Sequence, residues 1–77
     1  MENHIIVKLF ATLSPLTPEN SDRFPVGEGA TVHDIVRRLS VPETDAKLIF
    51  INGRKAELDT PLKDGDRLGI FPPVGGG

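Results

Sequence analysis

Apolar and polar positions change their spacing several times along the chain, and each change marks a candidate element. His4 to Phe10 reads His-Ile-Ile-Val-Lys-Leu-Phe, β-branched and apolar enough for a largely buried strand. Alternation places Ile5, Val7 and Leu9 on one face and Ile6, Lys8 and Phe10 on the other. From Ala11 to Asp22, Ser14-Pro15 and Thr17-Pro18 interrupt any long element, which predicts a loop with room for one helical turn. Arg23 to Val26 predicts a short strand at a sheet edge, because Pro25 has no amide to donate to a second neighbour.

The spacing then switches to a helical period. Gly27-Glu28-Gly29 is a turn, Thr31 fits a helix N-cap, and Asp34 stands where a capping-box acid belongs. Val32, Ile35, Val36 and Leu39 follow the i, i+3, i+4, i+7 pattern, with His33, Asp34, Arg37 and Arg38 on the other side. Pro42 ends the element. Lys47 to Ile51 predicts a strand, and Asn52-Gly53 predicts a tight hairpin turn, since both residues tolerate positive φ. Lys55 to Leu58 is the expected return strand. Thr60-Pro61-Leu62 and Lys63-Asp64-Gly65-Asp66 are turns, with Gly65 supplying positive φ. In the last strand, Arg67 to Phe71, Leu68 and Ile70 face one way and Gly69 and Phe71 the other; Pro72-Pro73 stops it.

Strand, strand, helix, strand, strand, strand implies an α+β fold, with one main helix packed on one face of a mixed sheet of four to five strands. This order resembles the ubiquitin-like β-grasp, in which the first and last strands lie side by side and parallel in the centre. Residues 1–77 form a single expected domain, with 72–77 as an extended C-terminal tail. A domain this small buries only about 60% of its unfolded surface, so any chemistry belongs on the surface or at an end.

Composition narrows the chemistry further. The formal net charge of −2 and the short basic pairs Arg37-Arg38 and Arg54-Lys55 argue against a nucleic-acid binder, and both pairs read as solvated surface. There is no cysteine, so disulfides, thiolate metal sites and cysteine nucleophiles are excluded. No signal peptide and no apolar run long enough to span a bilayer are visible, which sets the expectation of a cytoplasmic protein without membrane contact. His4 and His33 lie on different elements and argue against a metal site; Asp64 and Asp66 lack the further ligands of a calcium loop. Ser14 and Ser40 have no base neighbour in sequence, and Gly27-Glu28-Gly29 is too short for a phosphate-binding loop.

The C-terminal Gly75-Gly76-Gly77 has three physical readings: a frayed end or cloning remnant, a linker to an absent domain, or a reactive terminal carboxylate. Glycine suits the last task, since without a Cβ it can thread a narrow channel in a partner enzyme. The glycines alone leave all three open.

Their context adds a resemblance. Asp64-Gly65-Asp66, the apolar strand to Phe71, Pro72-Pro73-Val74, a variable position at Gly75 and the terminal Gly76-Gly77 resemble the end of the small subunit of molybdopterin synthase, in the MoaD/ThiS sulfur-carrier family. Val7-Lys8-Leu9-Phe10-Ala11, Ala30-Thr31-Val32-His33-Asp34 and Asn52-Gly53 are similar to the family as well, so the resemblance covers nearly the whole chain, and the chain stops where the family stops. Lys55 departs from it, standing where members often carry an apolar residue.

The resemblance implies a sulfur carrier without catalytic side chains of its own. An E1-like enzyme, using its own ATP and magnesium, would adenylate the Gly77 carboxylate. A persulfide donor would convert it to a thiocarboxylate, and the tail would deliver sulfur to an acceptor such as the molybdopterin synthase large subunit. Gly76, Gly75, Val74, Pro73 and Pro72 would position the terminus, and Phe10 and Phe71 would belong to the partner-binding face. No bound cofactor is implied. Thiamin thiazole or cysteine synthesis are alternative pathways. A lysine-conjugated protein modifier and a purely structural ubiquitin-like interaction module are alternative classes.

Overall fold

The computed structural model describes residues 3–73. Its elements are β1 (Asn3–Leu9), β2 (Phe24–Val26), α1 (Val32–Arg38), β3 (Leu48–Ile51), β4 (Arg54–Ala56) and β5 (Arg67–Phe71). They assemble into one five-stranded sheet in the order β2-β1-β5-β3-β4. β1 and β5 pair in parallel from Ile6–Arg67 to Leu9–Ile70, and every other pairing is antiparallel. The expected β-grasp arrangement is therefore present, with first and last strands together at the centre.

One face of the sheet carries the core. Ile5, Val7 and Leu9 of β1, Ile49 of β3 and Leu68 and Ile70 of β5 are buried against Val32, Ile35 and Val36 of α1. Seven residues are too few for a helix to persist alone in water, so α1 depends on this packing. Full burial of such side chains is worth about 1.5–3 kcal/mol each. The helix starts where the sequence predicts. Thr31 Oγ1 accepts from the Asp34 N–H at 3.4 Å, and the Thr31 N–H donates to Asp34 Oδ2 at 2.9 Å, closing a capping box.

Several boundaries differ from the sequence reading, each for a local reason. Leu39 is the C-cap rather than a helical residue, and Ser40 turns the chain at φ +60°. Ala11 to Asp22 holds two 3-10 helices, Ala11–Leu16 and part of Ser21–Arg23, rather than one turn. Short 3-10 segments tolerate the prolines, and the first is anchored by the buried Leu13. The second consumes Arg23, whose N–H donates to Asn20 O, so β2 begins at Phe24. β4 stops at Ala56 because Glu57 and Thr60 close a turn on each other, the Glu57 N–H donating to Thr60 Oγ1 at 2.9 Å. Arg38 is not merely solvated. Its guanidinium lies 4.5 Å from the Phe24 ring centroid and donates to Pro25 O at 2.8 Å, tying α1 to edge strand β2.

Candidate functional site

The second face of the sheet is open, and strand parity decides what it displays. Lys8 from β1 and Phe10 just beyond it, Gly69 and Phe71 from β5, and Leu48 and Phe50 from β3 all lie on the face away from α1, as the pairings Lys8–Gly69, Phe50–Gly69 and Leu48–Phe71 require. Phe10 and Phe71, which the sequence places on this face, stack with ring centroids 4.1 Å apart and 2° between their planes. Phe50 meets Phe71 edge to face at 5.8 Å and 87°. The three rings frame a shallow groove of about 380 Å³, closed by Lys8, Arg67 and Gly53 and floored by Leu68 and Gly69. Gly69 leaves the floor open beneath Phe10, whose Cε2 lies 3.4 Å from where a Cβ would stand. Phe10 and Leu48 each remain 37% exposed, so the apolar patch is not covered by the fold itself.

The Asp-Gly-Asp turn anchors the strand that runs through this face. Asp64 Oδ1 accepts from the His4 N–H at 2.8 Å, and the Gly65 N–H donates to His4 O at 2.7 Å, with Gly65 at φ +86°. Asp66 accepts from the Lys63 N–H at 2.8 Å and from Asn52 Nδ2 at 2.9 Å. Asn52 Oδ1 in turn accepts from the Arg67 N–H at 3.0 Å. The turn thus clamps the start of β5 to both β1 and the β3–β4 hairpin. At the far end the Phe10 N–H donates to Ile70 O and the Lys47 N–H to Phe71 O. Pro72 and Pro73 follow at once and have no N–H with which to extend the ladder, so the chain leaves the sheet there from a strand held on both sides. The predicted tail residues Val74, Gly75, Gly76 and Gly77 lie outside the described residues.

Sequence reasoning missed two participants. Phe50 lies in the predicted strand, and the Asn52-Gly53 turn fixes the register that sets it opposite Lys55, but its place on the open face beside Gly69 comes from the pairing of β3 with β5. Asn52 is the turn residue the sequence predicts, with φ +54°, and its side chain also bridges to Asp66 and Arg67.

The remaining titratable groups lie apart from the groove. His33 Nε2 is 3.1 Å from Glu43 Oε1, within ion-pair range but without hydrogen-bond geometry. The carboxyl of Asp34 is held below its usual range, first by the hydrogen bond from the Thr31 N–H and further by the Thr31 hydroxyl, His33 and Arg37. Among the described residues no group of three metal-ligating side chains converges, and no helix is long and apolar enough to cross a membrane.

Comparison with known proteins agrees with this geometry. The chain matches the ThiS family over residues 7–77. H. volcanii small archaeal modifier protein 1 is 30% identical, with 94% of this chain and 99% of that chain covered and a TM-score of 0.72. A putative molybdopterin converting factor, subunit 1, from Pyrococcus furiosus is 31% identical, with 94% and 99% covered and a TM-score of 0.66. The thiamine biosynthesis protein ThiS from Geobacter metallireducens, 24% identical over the full length of both chains with a TM-score of 0.62, shares the fold. No curated protein matches the chain. The chain belongs to the ThiS family of ubiquitin-like sulfur carriers.

Proposed function

We propose that the protein carries sulfur as a thiocarboxylate on Gly77 and presents it to partner enzymes through the open face of its sheet. The observation that carries this reading is the family match running through Gly77, joined to a central strand that delivers the chain to Pro72-Pro73. In the proposed cycle, a carboxylate oxygen of Gly77 attacks the α-phosphorus of ATP in an E1-like enzyme and releases pyrophosphate. A persulfide sulfur of the donor then displaces AMP, and a second thiol of the partners attacks the donor's cysteine sulfur in the resulting acyl disulfide, forming a disulfide between those two thiols and releasing the thiocarboxylate. Every catalytic group belongs to the partners. This chain contributes docking through Phe10, Phe50 and Phe71 and a stiff exit at Pro72-Pro73, which lowers the entropy lost when the tail is threaded. The expected setting is the cytoplasm.

Pro72-Pro73-Val74 before the glycines and the likeness to a putative molybdopterin converting factor subunit favour molybdopterin synthesis, with the synthase large subunit as acceptor. Thiazole or cysteine synthesis are the other carrier pathways. Conjugation to lysines is a second reading, favoured by the likeness to an archaeal modifier protein.

Deleting Gly77 tests the common core of both. ATP–pyrophosphate exchange by the adenylating enzyme should be lost in the deletion variant and present with the full chain. Absence of exchange with the full chain points instead to a structural interaction module, and exchange that survives the deletion shows that a Gly-Gly terminus one residue shorter, at Gly76, is adenylated as well.

A further inference from the structure

We infer that the open-face groove selects a partner surface presenting an apolar side chain flanked by carboxylates, with Lys8 and Arg67 as its charge contacts. The inference rests on the carrier reading only for the choice of partner, an E1-like adenylating enzyme. Its physical basis is where the charges lie. The chain is acidic overall, at a formal −2, yet the groove is lined by aromatic rings, two glycines, Leu68 and two cations, without a carboxylate. Lys55, cross-strand from Phe50, adds a third cation to the same face.

Four of the carboxylates are engaged elsewhere. Asp34 closes the capping box of α1, Glu43 faces His33, and Asp64 and Asp66 hold backbone N–H groups of the turn before β5. Asp22 borders a separate depression on the other flank of Lys8. Among the described residues the ion pair present is His33–Glu43, so no internal carboxylate neutralises Lys8, Arg67 or Lys55.

Apolar surface in the middle and unneutralised charge around it divide the work of recognition. The rings over Gly69 accept an aliphatic or aromatic side chain, while the cations attract carboxylates, steer encounter and reject basic surfaces. A second copy fits poorly, because a two-fold pairing of this face with itself sets cation against cation.

The test uses the full chain and the E1-like adenylating enzyme from the same genome, with association measured by stopped-flow at low and high salt. The paired variant Lys8→Glu with Arg67→Glu is compared with Lys63→Glu with Arg37→Glu, which changes the net charge equally on exposed positions outside the groove. Circular dichroism checks that each folds. The groove pair should weaken association at low salt by about tenfold or more, chiefly through the on-rate. The difference should shrink as the Debye length falls from about 10 Å at 0.1 M to about 3 Å at 1 M. The control pair should remain much nearer to the parent chain. Equal losses in both pairs, affinity independent of salt, or no binding by the parent chain overturns the inference. Sulfur loading is read separately by intact mass. Parent-like binding by the groove pair, with thiocarboxylate still formed, sinks the charge inference and leaves the carrier. Charge-dependent binding without thiocarboxylate on any variant does the reverse.

Discussion

Asn52→Asp exchanges one amide for one carboxylate where the β3–β4 hairpin meets the start of β5. The acceptor for the Arg67 N–H is kept, but the donor to Asp66 is replaced by an oxygen facing another carboxylate across 2.9 Å. Losing a hydrogen bond to a charged group costs about 1.5–3 kcal/mol, and the exposure of Asn52 places this case at the lower end. Repulsion between the two charges adds about 1 kcal/mol at water-like screening. The sum, about 2–3 kcal/mol, is large for a chain whose length implies roughly 4–12 kcal/mol of stability. It corresponds to a fall in melting temperature of about 10–20 °C, measurable by circular dichroism at neutral pH. The pH dependence is a second readout. Facing carboxylates hold a proton more tightly folded than unfolded, so this stabilisation is present in acid and lost as pH rises through the folded value. The deficit against the parent chain should therefore narrow in acid. A variant within about 0.5 kcal/mol of the parent at neutral pH, the ordinary scatter of surface substitutions, would refute the clamp.

Three other perturbations probe separate parts of the molecule. Thr31→Ala removes the N-cap hydroxyl of α1 and should cost about 1 kcal/mol by urea denaturation. Asp34 titrates below its usual range, so its contribution is present above the unfolded value and lost as pH falls through the folded one; in Asp34→Asn that acid-side loss should be absent from a melting series across pH. Gly69→Leu should fill the groove and displace the Phe10 ring while leaving the core side chains of the opposite face in place. Affinity for the adenylating enzyme should then fall while far-UV circular dichroism is unchanged; retained affinity would place docking elsewhere.

The strand order, the capping box and both aromatic positions of the site were legible because each is written in local spacing. Val32, Ile35 and Val36 announce a helix face, Asn52-Gly53 announces a hairpin, and alternation carries Phe10 and Phe71 to the face opposite Leu9 and Ile70. What escaped depends on contacts between distant segments. Leu13, in a short 3-10 helix, and Val41, Ala46 and Leu62, in connecting segments, are buried where no period marks them. The bridge from Asn52 to Asp66 spans 14 residues, and the hold of Arg38 on Pro25 spans 13. Phe50 is intermediate. Its strand was visible, but its place beside Gly69 needed the register between β3 and β5, which the sheet order supplies.

Intact-mass analysis of the full chain, incubated with its adenylating enzyme, ATP and a persulfide donor, tests the carrier reading most directly. A gain matching one sulfur-for-oxygen exchange, lost on deletion of Gly77, is the expected result. An unchanged mass, or high-mass lysine adducts without thiocarboxylate, contradicts it.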